Sequence, residues 1–151
     1  MAGIYTINHN AIVVSTAITI IQYKAGALNK AAVVRFSISQ GLSETSTMEQ
    51  IQLLRKTAAA TVTGFTPLEN DPDGPAAFGV SGTAATGITA TAEGTDGDIL
   101  VNEGWNILNG YLWVRSHPLE IVIPAAGIIA IKFPVAPASA TWRAQLVVEE
   151  F

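Results

Sequence analysis

The stretch Thr141-Trp142-Arg143-Ala144-Gln145-Leu146-Val147-Val148-Glu149 decides the fold class. Trp142, Ala144, Leu146 and Val148 share one face, with Arg143, Gln145 and Glu149 on the other. This period of two marks a half-buried strand, because successive strand side chains point to opposite faces. The pattern recurs upstream. In 31–39, Val34, Phe36 and Ile38 oppose Arg35, Ser37 and Ser39, and in 87–92, Ile88, Ala90 and Ala92 oppose Thr89 and Thr91. A long apolar strand, interrupted by a bulge, is expected over 11–23, and short strands over 98–101, 110–114, 119–123 and 127–133. Turn chemistry separates them: Asn70-Asp71-Pro72-Asp73-Gly74-Pro75, Gly94-Thr95-Asp96-Gly97 and Pro124-Ala125-Ala126-Gly127. Asn109-Gly110 between apolar runs reads as a tight hairpin turn. Many short strands at close spacing predict an all-β antiparallel sandwich or jelly roll.

One segment reads two ways. Ser46-Thr47-Met48-Glu49 is a capping box, followed by Met48, Ile51 and Leu54 at helical spacing. Yet Glu49, Ile51, Leu53 and Arg55 also alternate with Gln50, Gln52, Leu54 and Lys56. The second pattern makes a strand paired with 61–65 through a turn at 57–60.

Composition narrows function. The 151 residues are 49% hydrophobic and only 13% charged, so buriable surface is abundant and reactive groups are scarce. A chain of this length buries about 68–70% of its unfolded surface and forms a core without staples. With no cysteine, disulfides, thiolate metal sites and cysteine nucleophiles are all excluded. The net charge is −4 and the eight Lys and Arg are scattered, which argues against nucleic-acid binding. The apolar run at 11–21 is too short to cross a bilayer as a helix, which takes about 20 residues. Met1-Ala2-Gly3-Ile4-Tyr5 lacks the basic n-region of a signal peptide.

Candidate chemistry is thin. His9, in Asn8-His9-Asn10, and His117, in Ser116-His117-Pro118, read as loop residues. Gly79-Val80-Ser81-Gly82 lacks the spacing of a nucleophile elbow. Asp71, Asp73, Glu93, Asp96 and Asp98 read as solvated loop carboxylates, and a weak calcium site would start from Asp96 and Asp98. Glu103 and Glu120 near Trp105, Tyr111 and Trp113 suggest a carbohydrate platform, against which stands a plain hairpin interior. No phosphate-binding glycine pattern occurs. No cofactor, metal or enzyme activity is expected.

The apolar excess falls where alternation predicts water: Val33, Val122, Val147 and both faces of 127–133. Either the molecule covers these residues itself or neighbouring chains do. As an interface set, Ile4, Tyr5, Val33, Trp105, Ile129 and Ile131 are the candidates.

The order of features resembles a known family. A long apolar strand precedes an Arg-Phe strand, then Glu49-Gln50-Ile51-Gln52-Leu53-Leu54-Arg55-Lys56-Thr57, Val62-Thr63-Gly64-Phe65-Thr66-Pro67 and Thr89-Ala90-Thr91-Ala92-Glu93. The chain closes with Ile123-Pro124 through Ile131 and then 142–150. From about residue 11 onward this resembles the small jelly-roll capsid decoration, or cement, proteins of tailed bacteriophages. The resemblance implies that 50–56 is a strand. It further implies a virion structural protein, made in the host cytoplasm and placed on the outer capsid surface. Its partners would be the major capsid protein and its own copies as a homotrimer, with no nucleic acid or membrane. Residues 1–10 are expected as an extended arm anchored by Ile4 and Tyr5, ahead of one jelly-roll domain over 11–151. A carbohydrate-binding receptor or adhesion module is the competing function.

Overall fold

The computed structural model describes residues 3–41 and 46–151. They form β1 (Gly3–Val14), β2 (Ile18–Lys24), β3 (Ala31–Gly41), β4 (Met48–Ala58), β5 (Thr61–Gly64), β6 (Leu68–Glu69), β7 (Gly87–Ala92) and β8 (Thr95–Asn106). A 3-10 turn at Ile107–Asn109 leads to β9 (Tyr111–Val114), β10 (Val122–Ile123), β11 (Ile128–Phe133) and β12 (Ala140–Glu150). One sheet has the order β10-β3-β12-β1-β6, with β9 beside β10 on the same edge of β3; the other has the order β5-β7-β2-β11-β4-β8. All ladders are antiparallel. The two sheets pack face to face as the expected all-β sandwich, because each strand offers an alternating apolar face to its opposite number. Pairing is nested: β1 lies beside β12 and β2 beside β11.

Alternation in β12 holds. Trp142, Leu146 and Val148 have no exposure, and Ala144 has very little. They meet Tyr5, Ile7, Tyr23, Phe36, Ile51, Leu53 and Phe133 in one core. Aromatic rings knit its centre, Phe133 and Trp142 at 4.9 Å and Trp105 and Trp142 at 6.1 Å between centroids.

Four expectations are corrected. Residues 3–10 are not an arm: they are the first part of β1, held between β12 and β6. The cause is their own alternation, since Tyr5 and Ile7 point inward and are buried. The sandwich thus begins at Gly3 and not at residue 11, and 11–23 is two strands broken by the exposed turn Ser15-Thr16-Ala17. In β3, Val147 of β12 faces Arg35 but Val148 faces Val33, so Val34 is a bulged extra residue. The bulge shifts parity and sends Val33 into the core. Finally, Asn109-Gly110 is no hairpin. β8 belongs to one sheet and β9 to the other, so the chain crosses between layers, with Gly110 at φ 65° and Asn106 capping Leu108 N at 3.0 Å.

The ambiguous segment is the strand β4, as the resemblance implies, though it pairs with β11 and β8 and not with β5. Ile51 and Leu53 enter the core, which outweighs the local helix signal. The carboxylate that would close the capping box is used elsewhere: Glu49 Oε1 accepts from Ala138 N at 2.8 Å.

Residues 127–133 are apolar on both faces, and the molecule supplies both layers. Ile129, Ile131 and Phe133 belong to the core. Ala130 points the other way, in a row with Gln22 and Leu54, and all three are buried. Over Gln22 lies the chain around Ala60 and Ala85. Gln22 Nε2 donates to Ala85 O (2.6 Å) and Ala60 O (3.4 Å), and its Oε1 accepts from Ala60 N (2.8 Å). Ala60, Val62 and Ala90 form a small second apolar cluster there. No helix among the described residues is long and apolar enough to cross a membrane.

Candidate functional site

The chemistry-bearing side chains come together in one place, on the outer side of the second sheet. Lys56 Nζ lies 3.0 Å from Glu93 Oε2 and 2.7 Å from Asp96 Oδ1. Lys132 Nζ lies 2.5 Å from Asp96 Oδ2 and 3.5 Å from Glu93 Oε2. Thr19 completes the cluster, its amide donating to Glu93 Oε1 (2.5 Å) and its hydroxyl to Oε2 (2.7 Å). Burial alone would raise both carboxyls. For Glu93, hydrogen bonds from Thr19 and Lys56 outweigh burial and hold it below its usual value; for Asp96, Lys132 and Lys56 do the same. This arrangement fastens the β7–β8 connection onto β2, β4 and β11. Both oxygens of Asp96 already face ammonium groups, so it is a poor start for the calcium site considered with Asp98. No group of three or more His, Asp or Glu with metal-holding geometry occurs among the described residues.

The other candidates lie apart. His9 is no loop residue: it sits in β1, buried, its Nε2 hydrogen-bonded to Thr89 Oγ1 of β7. Burial lowers its pKa. His117 stays in the exposed loop between β9 and β10. Glu103 stands on β8 at the edge of the second sheet, while Glu120 lies in the loop after β9, 3.9 Å from Arg115. The aromatic platform dissolves, because Trp105 is only 7% exposed and Trp113 stacks on Phe36 at 5.9 Å.

Of the six interface candidates, only Ile4 reaches the surface, at 44% exposure. Tyr5, Val33, Trp105, Ile129 and Ile131 are core residues. The other exposed large apolar residues sit at the two ends of the sandwich, on the outer face of the first sheet and, with Ile99, on the edge strand β8 of the second. Leu112, Val114 and Leu68 flank that face, where Arg35, Gln145 and Asn8 form a polar ladder. Val13 and Met48, at strand ends, and Leu108 and Val135, between strands, are exposed at the end where Ala138 meets Glu49.

The opposite end carries the most exposed of them, Leu28, at 93%. It projects from the β2–β3 turn, Lys24-Ala25-Gly26-Ala27-Leu28-Asn29-Lys30, which is tied to the 124–127 turn by Ala25 N to Gly127 O (2.9 Å) and Ala126 N to Gly26 O (2.9 Å). The run 69–80 crosses this end. Its path is fixed by Glu150, buried, whose carboxylate accepts from Tyr23 Oη (2.6 Å), Phe78 N (2.7 Å) and Gly79 N (2.9 Å). That bond and burial raise the Tyr23 pKa above the usual phenol range. Beside β1 the same run shapes a cleft of about 330 Å³. Ile4, Tyr5 and Pro75 give it an apolar lining, and Glu69, Asp71 and Asp73 rim it. Tyr5 Oη donates to Pro75 O at 2.6 Å and fixes the wall. A lone leucine in a turn of small and polar residues, Ala27-Leu28-Asn29-Lys30, was the available sequence signal for Leu28; the cleft had none, since it joins residues 3–5 to 69–75.

Comparison of the chain with protein-family models, with curated proteins and with solved structures finds no match of any of the three kinds.

Proposed function

We propose that this protein is a structural component of a bacteriophage particle that decorates an icosahedral capsid, binding the major capsid protein and copies of itself without covalent chemistry. The observation that carries the reading is the division of labour among side chains. The ionic groups that cluster are spent on holding the chain's own strands and connections, while large apolar side chains stand exposed at both ends, on the outer face of the first sheet and at the edge of the second. Such groups lower the free energy of association when a neighbour covers them, at about 25 cal/mol per Å². The nested strand order, with β1 beside β12 and β2 beside β11, supports the jelly-roll form of the sandwich. A rigid sandwich repeated over a shell adds many small contacts. The carbohydrate-binding alternative has lost the exposed aromatic surface on which it rested.

The test is co-sedimentation of the purified protein with shells assembled from major capsid protein, followed by electron microscopy. Saturable binding at fixed lattice positions, with shells made more resistant to heat, is the expected outcome. Protein that stays in the supernatant at every concentration would sink the reading.

A further inference from the structure

We propose that the β2–β3 turn of one copy is a plug that docks into the acidic cleft of a second copy. This deepens the self-association half of the function above and rests on that half alone. The two surfaces complement each other in shape and charge. The plug offers Leu28, almost fully exposed, between Lys24 and Lys30. The socket offers an apolar lining from Ile4, Tyr5 and Pro75 under a rim of Glu69, Asp71 and Asp73.

Neither set of charges is ion-paired among the described residues, and of the carboxylates only Asp71 accepts a hydrogen bond, from the Asp73 amide. Among the described residues, every ion pair involves Lys56, Lys132 or Arg115, so the two lysines and three carboxylates here have no intramolecular partner of opposite sign. Both patches are built on ordered backbone. The plug is pinned by Asn29 N to Gly26 O and Lys30 N to Phe151 O, and the socket by Gly74 N to Asp71 O and Asn70 N to Ile4 O. A leucine entering an apolar cleft is a burial gain, and flanking lysines meeting carboxylates set the orientation and exclude a wrong register. Plug and socket are different patches of one chain, so the contact is complementary and not a patch against itself. Both lie at the same end of the sandwich, and the rotation between copies decides whether such contacts close into a ring or run on as a filament.

The experiment is light scattering on the purified chain alone, without shells, over a range of concentration and salt. The wild type is expected to associate, more weakly at high salt. Leu28→Asp, at a position that contributes nothing to the core, is expected to leave a monomer with unchanged melting temperature. Lys30→Glu should weaken association by about tenfold, and adding Asp73→Lys should restore it, as a charge swap across one contact requires. Leu108→Asp, at the far end, should change nothing. A wild type that remains monomeric, or an oligomer indifferent to both Leu28→Asp and Lys30→Glu, overturns the plug and socket. A chain that associates in this way yet ignores shells overturns only the decoration reading, and a monomer that binds shells overturns only the present one.

Discussion

Lys56 carries an ammonium group into a site where its side chain has no exposure, and two carboxylates from one connection meet it there. Removing one partner of a buried pair leaves uncompensated charge, which is more costly than the pair is stabilising. Lys56→Met should therefore cost about 3 kcal/mol in chemical denaturation, the low end for such a change because water reaches Asp96 and screens it. The same cluster shapes the response to acid. Glu93 and Asp96 are held below their ordinary values of 4.5 and 3.8 in the folded state, so on acidification the unfolded chain takes up their protons first. Their stabilisation is complete above about pH 4.5 and is lost as pH falls through the lowered values. His9 adds an earlier step. Burial depresses its pKa, so the folded state resists protonation and stability begins to fall below the unfolded value of 6.5. Urea midpoints measured from pH 8 to pH 3 should show two declines, and His9→Gln should abolish the upper one only. A single decline in the wild type would mean that burial does not hold the imidazole neutral.

At the scale of elements, the outer side of the second sheet depends on a glutamine. Gln22 reaches out of β2 and satisfies both the amide and the carbonyl of Ala60 and the carbonyl of Ala85, so the chain around Ala60 and Ala85 is fastened to the outer side of β2. Gln22→Leu keeps the bulk but leaves those backbone groups buried and unpaired, at a cost of about 1–3 kcal/mol. Hydrogen exchange at the Ala60 amide should then accelerate well beyond what the lost global stability explains; exchange that merely tracks global unfolding would contradict this role. The strands themselves were largely legible, because β12 and the core face of β4 follow period two; β7 is a strand as expected, but its alternation breaks at Thr89, whose φ is 49°. What was not legible depends on partners remote in sequence. The bulge at Val34 arises from register with β12, and without it Val33 reads as surface. The chain fastened over Gln22 comes from around Ala60 and Ala85, which carry no pattern of their own. Residues 4–9 do alternate, but the polar Asn8-His9-Asn10 at their end reads as a turn until β12 and β7 close around it. Five of the six interface candidates are buried for the same reason: Val33 is read from local parity, Tyr5 from an expected arm, and Ile129 and Ile131 from a run apolar on both faces, whereas exposure is decided by long-range pairing.

For the molecule as a whole, the decisive fact is that its first strand pairs with its last, Gly3 opposite Glu150. Native order thus requires closure of nearly the full chain before β1·β12 contacts can form, and closure entropy rises with loop length by about 0.6 kcal/mol per doubling. Sandwiches built on such non-local pairs fold slowly, over about milliseconds to seconds. The arrangement makes a direct test available, since the chain ends lie side by side and β1 ends at the exposed turn Ser15-Thr16-Ala17. Joining 151 to 3 by a short Gly/Ser linker and opening the chain between Thr16 and Ala17 turns β12 and β1 into a local hairpin with every ladder intact. The permutant should reach the same fold, seen as an unchanged pattern of protected amides. If the β1·β12 ladder forms in the transition state, stopped-flow refolding should be faster, by up to roughly a hundredfold for the closure removed. An unchanged refolding rate would place that ladder after the barrier, and the sandwich would then assemble first around β2, β11 and β4, whose core residues Ile21, Ile131 and Leu53 meet at its centre.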